Sequence, residues 1–73
     1  MSSDKLVYMA NQIAINFRSM AEAAAVAAVA DHIRSFWSPR MRIDLQAMIE
    51  SGGSGLDPVV HKAFDLLKAR QKS

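Results

Sequence analysis

Apolar residues recur at three- and four-residue spacing in four stretches of the chain, and a helix-breaking signal separates each stretch from the next. In the first, Leu6, Met9, Ala10, Ile13 and Phe17 fall on one side of a helix predicted over about 4–18, with Ser3 as its cap and Asp4 in its first turn. In the second, about 20–37, Val26, Val29, Ala30, Ile33, Phe36 and Trp37 lie within an arc of about 120°. Ser19 and Glu22 ahead of it have the Ser-x-x-Glu form of a capping box. Pro39 disfavours the helical conformation in the residue before it, so this helix stops at Trp37 or Ser38. Ser38-Pro39 is also a start signal, serine at the cap and proline at the first helical position, for a third helix over 39–50. That helix places Met41, Leu45, Met48 and Ile49 on one face. Three glycines within 51–55 then end it in a mobile loop. Asp57-Pro58 repeats the cap-then-proline signal and opens a fourth helix to about residue 70. Its Val59, Val60, Ala63, Phe64, Leu66 and Leu67 span a wider arc, as though covered from two sides. No stretch alternates with period two long enough to make a strand, and there is no internal repeat. The expected fold is all-α, a small bundle of four helices forming a single domain over 1–73.

Composition sharpens this picture. Of the 73 residues 51% are hydrophobic, but 12 of these are alanine, so the interior is thin. A chain this short buries only about 60% of its unfolded surface and commonly leans on disulfides, metals or partners. The absence of cysteine removes disulfides, iron–sulfur ligation and thiolate chemistry together. His32 and His61, one from each of two separate segments, do not make a zinc site. A partner is what is left, and five methionines suit an adaptable contact surface as well as an irregular core.

Charge excludes more than it assigns. The net charge is +2, and through residue 38 Lys5, Arg18 and Arg34 balance Asp4, Glu22 and Asp31. Lys62, Lys68, Arg70 and Lys72 are interleaved with Asp65 and read as a solvated helix end favoured by the dipole, not as a basic nucleic-acid stripe. The longest uncharged apolar run, 23–30, falls far short of the roughly 20 residues of a membrane span. The opening Met-Ser-Ser-Asp-Lys does not read as a signal peptide, so a cytoplasmic protein is expected.

Catalytic chemistry finds little purchase. Adjacent Asp31 and His32 diverge by about 100° on a helix and form no oriented dyad. Asp57, His61 and Asp65 align along the fourth helix, but Asp57 is already its cap and the set would need ligands from another chain. Gly-Gly-Ser-Gly lacks the preceding strand and the following Lys-Ser or Lys-Thr of a phosphate loop. The expectation is no catalytic, cofactor-binding or metal-binding residue in this chain.

The corner between the second and third helices is different in kind. His32, Phe36, Trp37, Pro39, Arg40, Met41 and Arg42 bring together the residue types enriched at binding hot spots. Two readings stand: these residues form a partner-binding surface, or the aromatics fill the interior while the arginines sit in water. Arg40 in a first helical turn opposes the helix dipole, which favours an external carboxylate as its mate over an internal one. On the first helix Tyr8 and Ile15 project together opposite the Leu6 stripe with Asn11 beside them. They are either a secondary partner surface or an exposed pair of no consequence.

Asn11-Gln12-Ile13-Ala14 with Asn16-Phe17, the stretch from Val29 into Phe36-Trp37-Ser38-Pro39-Arg40-Met41-Arg42, and the glycines followed by Leu56-Asp57-Pro58 carry a resemblance. Over about residues 8–68 the chain resembles the delta subunit of NAD-dependent formate dehydrogenases, with the Phe-Trp-x-Pro-Arg-Met block as the most specific part. The resemblance implies a cytoplasmic complex whose large (alpha) subunit holds bis-molybdopterin guanine dinucleotide with molybdenum or tungsten and iron–sulfur clusters. Further subunits hold FMN and more clusters and reduce NAD. It implies for this chain a non-catalytic accessory role, docking on the large subunit to stabilise it or its cofactor-loaded state. A transient maturation chaperone of that subunit is the alternative, and a small nucleic-acid-binding helical regulator is disfavoured by the charge pattern.

Overall fold

The computed structural model describes residues 3–52 and 55–71. The expected all-α bundle is the fold observed: α1 (Ser3–Asn16), α2 (Glu22–Phe36), α3 (Pro39–Glu50) and α4 (Pro58–Gln71), with no strand among the described residues. The side chain of Ser3, residues Gly53 and Ser54, and Lys72 lie outside what is described, so the expected cap at Ser3 and the end of the basic tail do too.

Two of the caps form as the sequence predicts. Ser38, in extended conformation before Pro39, accepts the Met41 N–H on its side chain at 3.2 Å. Asp57 Oδ1 accepts the Val59 N–H at 2.9 Å, while its carbonyl takes the N–H groups of Val60 and His61. Each satisfies donors that the first turn of a helix leaves without partners.

The capping box at Ser19 does not form. Past Asn16 the chain tightens into i→i−3 bonds, Phe17 N–H to the Ala14 carbonyl, Arg18 to Ile15 and Met20 to Phe17. Ser19 is thereby taken into the turn. The residue with the extended conformation a cap requires is Ala21 (φ −57°, ψ 148°), which offers no side-chain acceptor, and α2 begins at Glu22. The Glu22 carboxylate pairs instead with Lys62 of α4.

The interior is built where the apolar stripes meet. Leu6, Val29, Ile33, Leu45 and Val60 are fully buried, and Met9, Phe17, Val26, Met41, Met48 and Ile49 pack around them half-covered. Ala10, Ala14, Ala30 and Ala63 are also buried, and their short side chains let the helix axes approach closely. The principal pairing is α2 with α4, whereas α3 leans on α1 and barely touches α2 and α4. The wide arc of α4 is covered as expected, with Val60, Ala63, Phe64 and Leu67 all inside.

The glycine segment is less free than its composition suggests. Gly52 (φ 84°) closes α3 and Gly55 (φ 89°) turns the chain toward α4, both in the left-handed region that favours glycine. Beyond Gly55 the chain is fastened. Asn11 Nδ2 donates to the Gly55 carbonyl at 2.8 Å, Asn11 Oδ1 accepts the Asp57 N–H at 2.9 Å, and Leu56 between them is buried in the core. At Gly55, the last residue of the expected 51–55 loop, and at Asp57 just beyond it, one amide holds the backbone to α1.

Candidate functional site: the corner between α2 and α3

Phe36 and Trp37 are neighbours, and on a helix successive side chains point about 100° apart. The structure sends them opposite ways. Trp37 is 6% exposed and meets Phe64 of α4 edge-on at 6.5 Å between ring centroids. Phe36 is 75% exposed, its ring 4.8 Å from that of His32 one turn earlier. Ile33 accepts the Trp37 N–H, ending α2, and Pro39 starts α3 two residues later, so the corner is set by backbone bonds on both sides.

The remaining candidates separate by exposure. Pro39 is exposed, and Met41 is half-buried against the core. The Arg40 side chain is 84% exposed, yet it has an internal mate that the dipole argument did not anticipate. Asp44, one turn on, pairs with its Nε at 3.3 Å. Such an exposed i,i+4 pair is worth only about 0.3–0.5 kcal/mol. Arg42 is half-buried, and its Nε is enclosed with no acceptor among the described residues.

Of the residues expected to reach a partner, Phe36, Pro39 and Arg40 thus present themselves at the surface, His32 backs Phe36, and Trp37 and Met41 hold the corner from within. The same sorting occurs on α1. Tyr8 and Ile15 are exposed, whereas both ends of the Asn11 amide are committed to the chain itself. The signal for the Asn11 staple was an amide in mid-helix, where asparagine is a poor helix former without a tertiary reason.

Sequence reasoning also missed the cross-helix ion pairs. Lys62 to Glu22, Arg70 to Asp31 at 2.9 Å and Lys68 to Glu50 at 3.5 Å tie α4 to α2 and α3. The basic end of α4 is exposed as expected, but its charges are directed at carboxylates of other helices, which no single-helix reading can show.

Fold and site together define a small all-α protein whose distinctive chemistry is an aromatic and guanidinium surface at one rigid corner. The family model of the NADH-dependent formate dehydrogenase delta subunit, FdsD, matches residues 5–64, and the chain belongs to that family. It is accordingly a subunit of a hetero-oligomeric formate dehydrogenase complex. No curated protein and no solved structure gives a significant match. No helix among the described residues is long and apolar enough to cross a membrane.

Proposed function

We propose that this chain is a non-catalytic accessory subunit that docks on the large molybdenum- or tungsten-containing subunit through the α2–α3 corner and stabilises it or its cofactor-loaded state. The observation that carries the reading is Phe36, a large aromatic held 75% in water at a corner fixed by its own buried neighbour. An exposed aromatic backed by the ring of His32 loses little entropy on contact and offers the surface on which hot spots are built. The donor chemistry of the chain supports an accessory role. It has no cysteine for a cluster, and among the described residues no three His, Asp or Glu side chains gather as a metal would need. In this reading bis-molybdopterin guanine dinucleotide, the iron–sulfur clusters and FMN all reside on other subunits.

The test is co-purification through a tag on this chain. The large subunit is expected in stoichiometric amount in the active complex, and Phe36→Ser, a change at an exposed site, is expected to weaken its retention about thirtyfold or more, the scale of a hot spot. Loss of the chain once the enzyme becomes active would make it a transient chaperone. Failure of the wild-type chain to retain the large subunit at any stage would defeat the reading.

A further inference from the structure

A second feature, which Phe36 does not line, runs along the seam where α3 barely touches α4. There the surface sinks into a groove of about 450 Å³, lined on its apolar side by Pro39, Ile43, Ala47, Phe64 and Leu67. Ile43 is 62% exposed beside this apolar groove, so covering it would remove aliphatic surface from water. Arg42 and Leu67 also line an adjoining cavity of about 340 Å³, and the other residues around it are Arg34 and Arg70. Three helices thus bring one guanidinium each to the same place: Arg34 from α2, Arg42 from α3, Arg70 from α4.

The local charges do not cancel. Asp31 pairs with Arg70, and Glu50, the carboxylate lining the groove, pairs with Lys68. Arg34 has no hydrogen bond or ion pair among the described residues, and Arg42 Nε is enclosed without an acceptor. An enclosed guanidinium nitrogen without an acceptor carries a desolvation cost that an incoming oxyanion would relieve. Planar guanidinium groups match carboxylate and phosphate oxygens in a two-point geometry. The neighbouring groove, however, is apolar, and a free inorganic anion would leave it uncovered.

From this arrangement we infer that the α3–α4 groove and its three arginines seat a segment of the partner polypeptide that carries apolar side chains beside one or more carboxylates. The apolar side chains cover Ile43 and the groove; the carboxylate supplies the acceptor that Arg34 and Arg42 lack. This rests on the docking role proposed above and adds a second surface to it, distinct from Phe36, with its own chemistry.

The experiment uses the full chain and its complex. Arg34→Gln and Ile43→Ser both change exposed side chains, so helical content by circular dichroism is expected to match the wild type. Each should weaken retention of the large subunit by about tenfold, the scale of a partly desolvated contact, and the Arg34→Gln loss should shrink as salt is raised. Phe36→Ser run in parallel separates the two readings. If Phe36→Ser weakens the complex while Arg34→Gln and Ile43→Ser do not, the groove is overturned and the docking role stands. If the wild-type chain retains no large subunit, both fall. In a third arm, thermal unfolding of the isolated chain is followed with inorganic phosphate at constant ionic strength. A rise in melting temperature abolished by Arg34→Gln, with the complex insensitive to Ile43→Ser, would make the cavity a small-anion site and overturn the polypeptide assignment.

Discussion

The α2–α4 pair and α3 are built to different standards. Between α2 and α4 lie fully buried Val29, Ile33 and Val60, the Trp37–Phe64 ring contact, and ion pairs at both Glu22 and Asp31. α3 contributes one fully buried side chain, Leu45, leaves Ile43 in water and stands off from α4 across a groove. α3 has a side-chain cap at Ser38 while α2 starts without one, so the difference is not local capping. It is how much apolar surface each turns inward. The first region holds most of the buried core, and the second leaves apolar surface exposed. The groove docking proposed above rests on this open apolar face.

The largest effect is expected at the bulkiest buried side chain, Trp37. Trp37→Ala removes the ring that joins α2 to α4, and large aromatic truncations cost about 3–5 kcal/mol. Because that is comparable with the total stability of a short chain lacking covalent staples, the variant is expected to lose its helical circular dichroism at room temperature. A cooperative unfolding transition close to that of the wild type would mean that Trp37 is peripheral.

Leu45→Ala sharpens the contrast. The expected cost is about 2–3 kcal/mol, the lower part of the range for buried leucine, because the neighbours Met41, Met48 and Ile49 are flexible or already half-exposed. Hydrogen exchange should show the loss falling first on α3, with α2 amides retaining protection longest. Uniform deprotection of all four helices would place α3 inside the same cooperative unit as the α2–α4 pair.

A smaller effect is expected at Asn11. Replacing it with alanine removes two bonds and leaves the Gly55 carbonyl and the Asp57 N–H without their partners, at a cost of about 1–2 kcal/mol. Asn11→Asp retains the acceptor for Asp57 but loses the donor for Gly55, so its stability in urea should fall between the two. Equal loss in both variants would mean that the staple acts through the Gly55 bond alone.

Much of this architecture was legible in the chain, and the exceptions share a cause. Helix number, the corner at Ser38-Pro39 and the entry at Asp57-Pro58 rest on signals confined to a few consecutive residues, and those held. Ser19 failed because its four-residue pattern is compatible with a cap only if the preceding turn leaves it extended, and the tight exit from α1 does not. The sorting of Phe36 from Trp37 needed the position of α4, since either aromatic could have been the inward one. The Asn11 staple, the ion pairs of α4 and the convergence of Arg34, Arg42 and Arg70 join residues distant in sequence. No local spacing announces them.

The smallest change in stability is expected at Arg40, and it divides surface from structure most cleanly. Its pair with Asp44 is exposed, and the cation stands N-terminal to the anion, the order that the helix dipole disfavours. Arg40→Ala should therefore alter the unfolding free energy by no more than about 0.5 kcal/mol. A double-mutant cycle with Asp44→Ala isolates the pair itself, because each single variant also alters the interaction of α3 with its own dipole. If Arg40 serves the corner surface, the same variant should weaken retention of the large subunit by about 2 kcal/mol, a cost several times its effect on the isolated chain. The comparison is a ratio, so it does not depend on the absolute stability of the bundle. A stability loss equal to or larger than the binding loss would assign Arg40 to the fold of α3 and leave Phe36 to account for the corner surface alone.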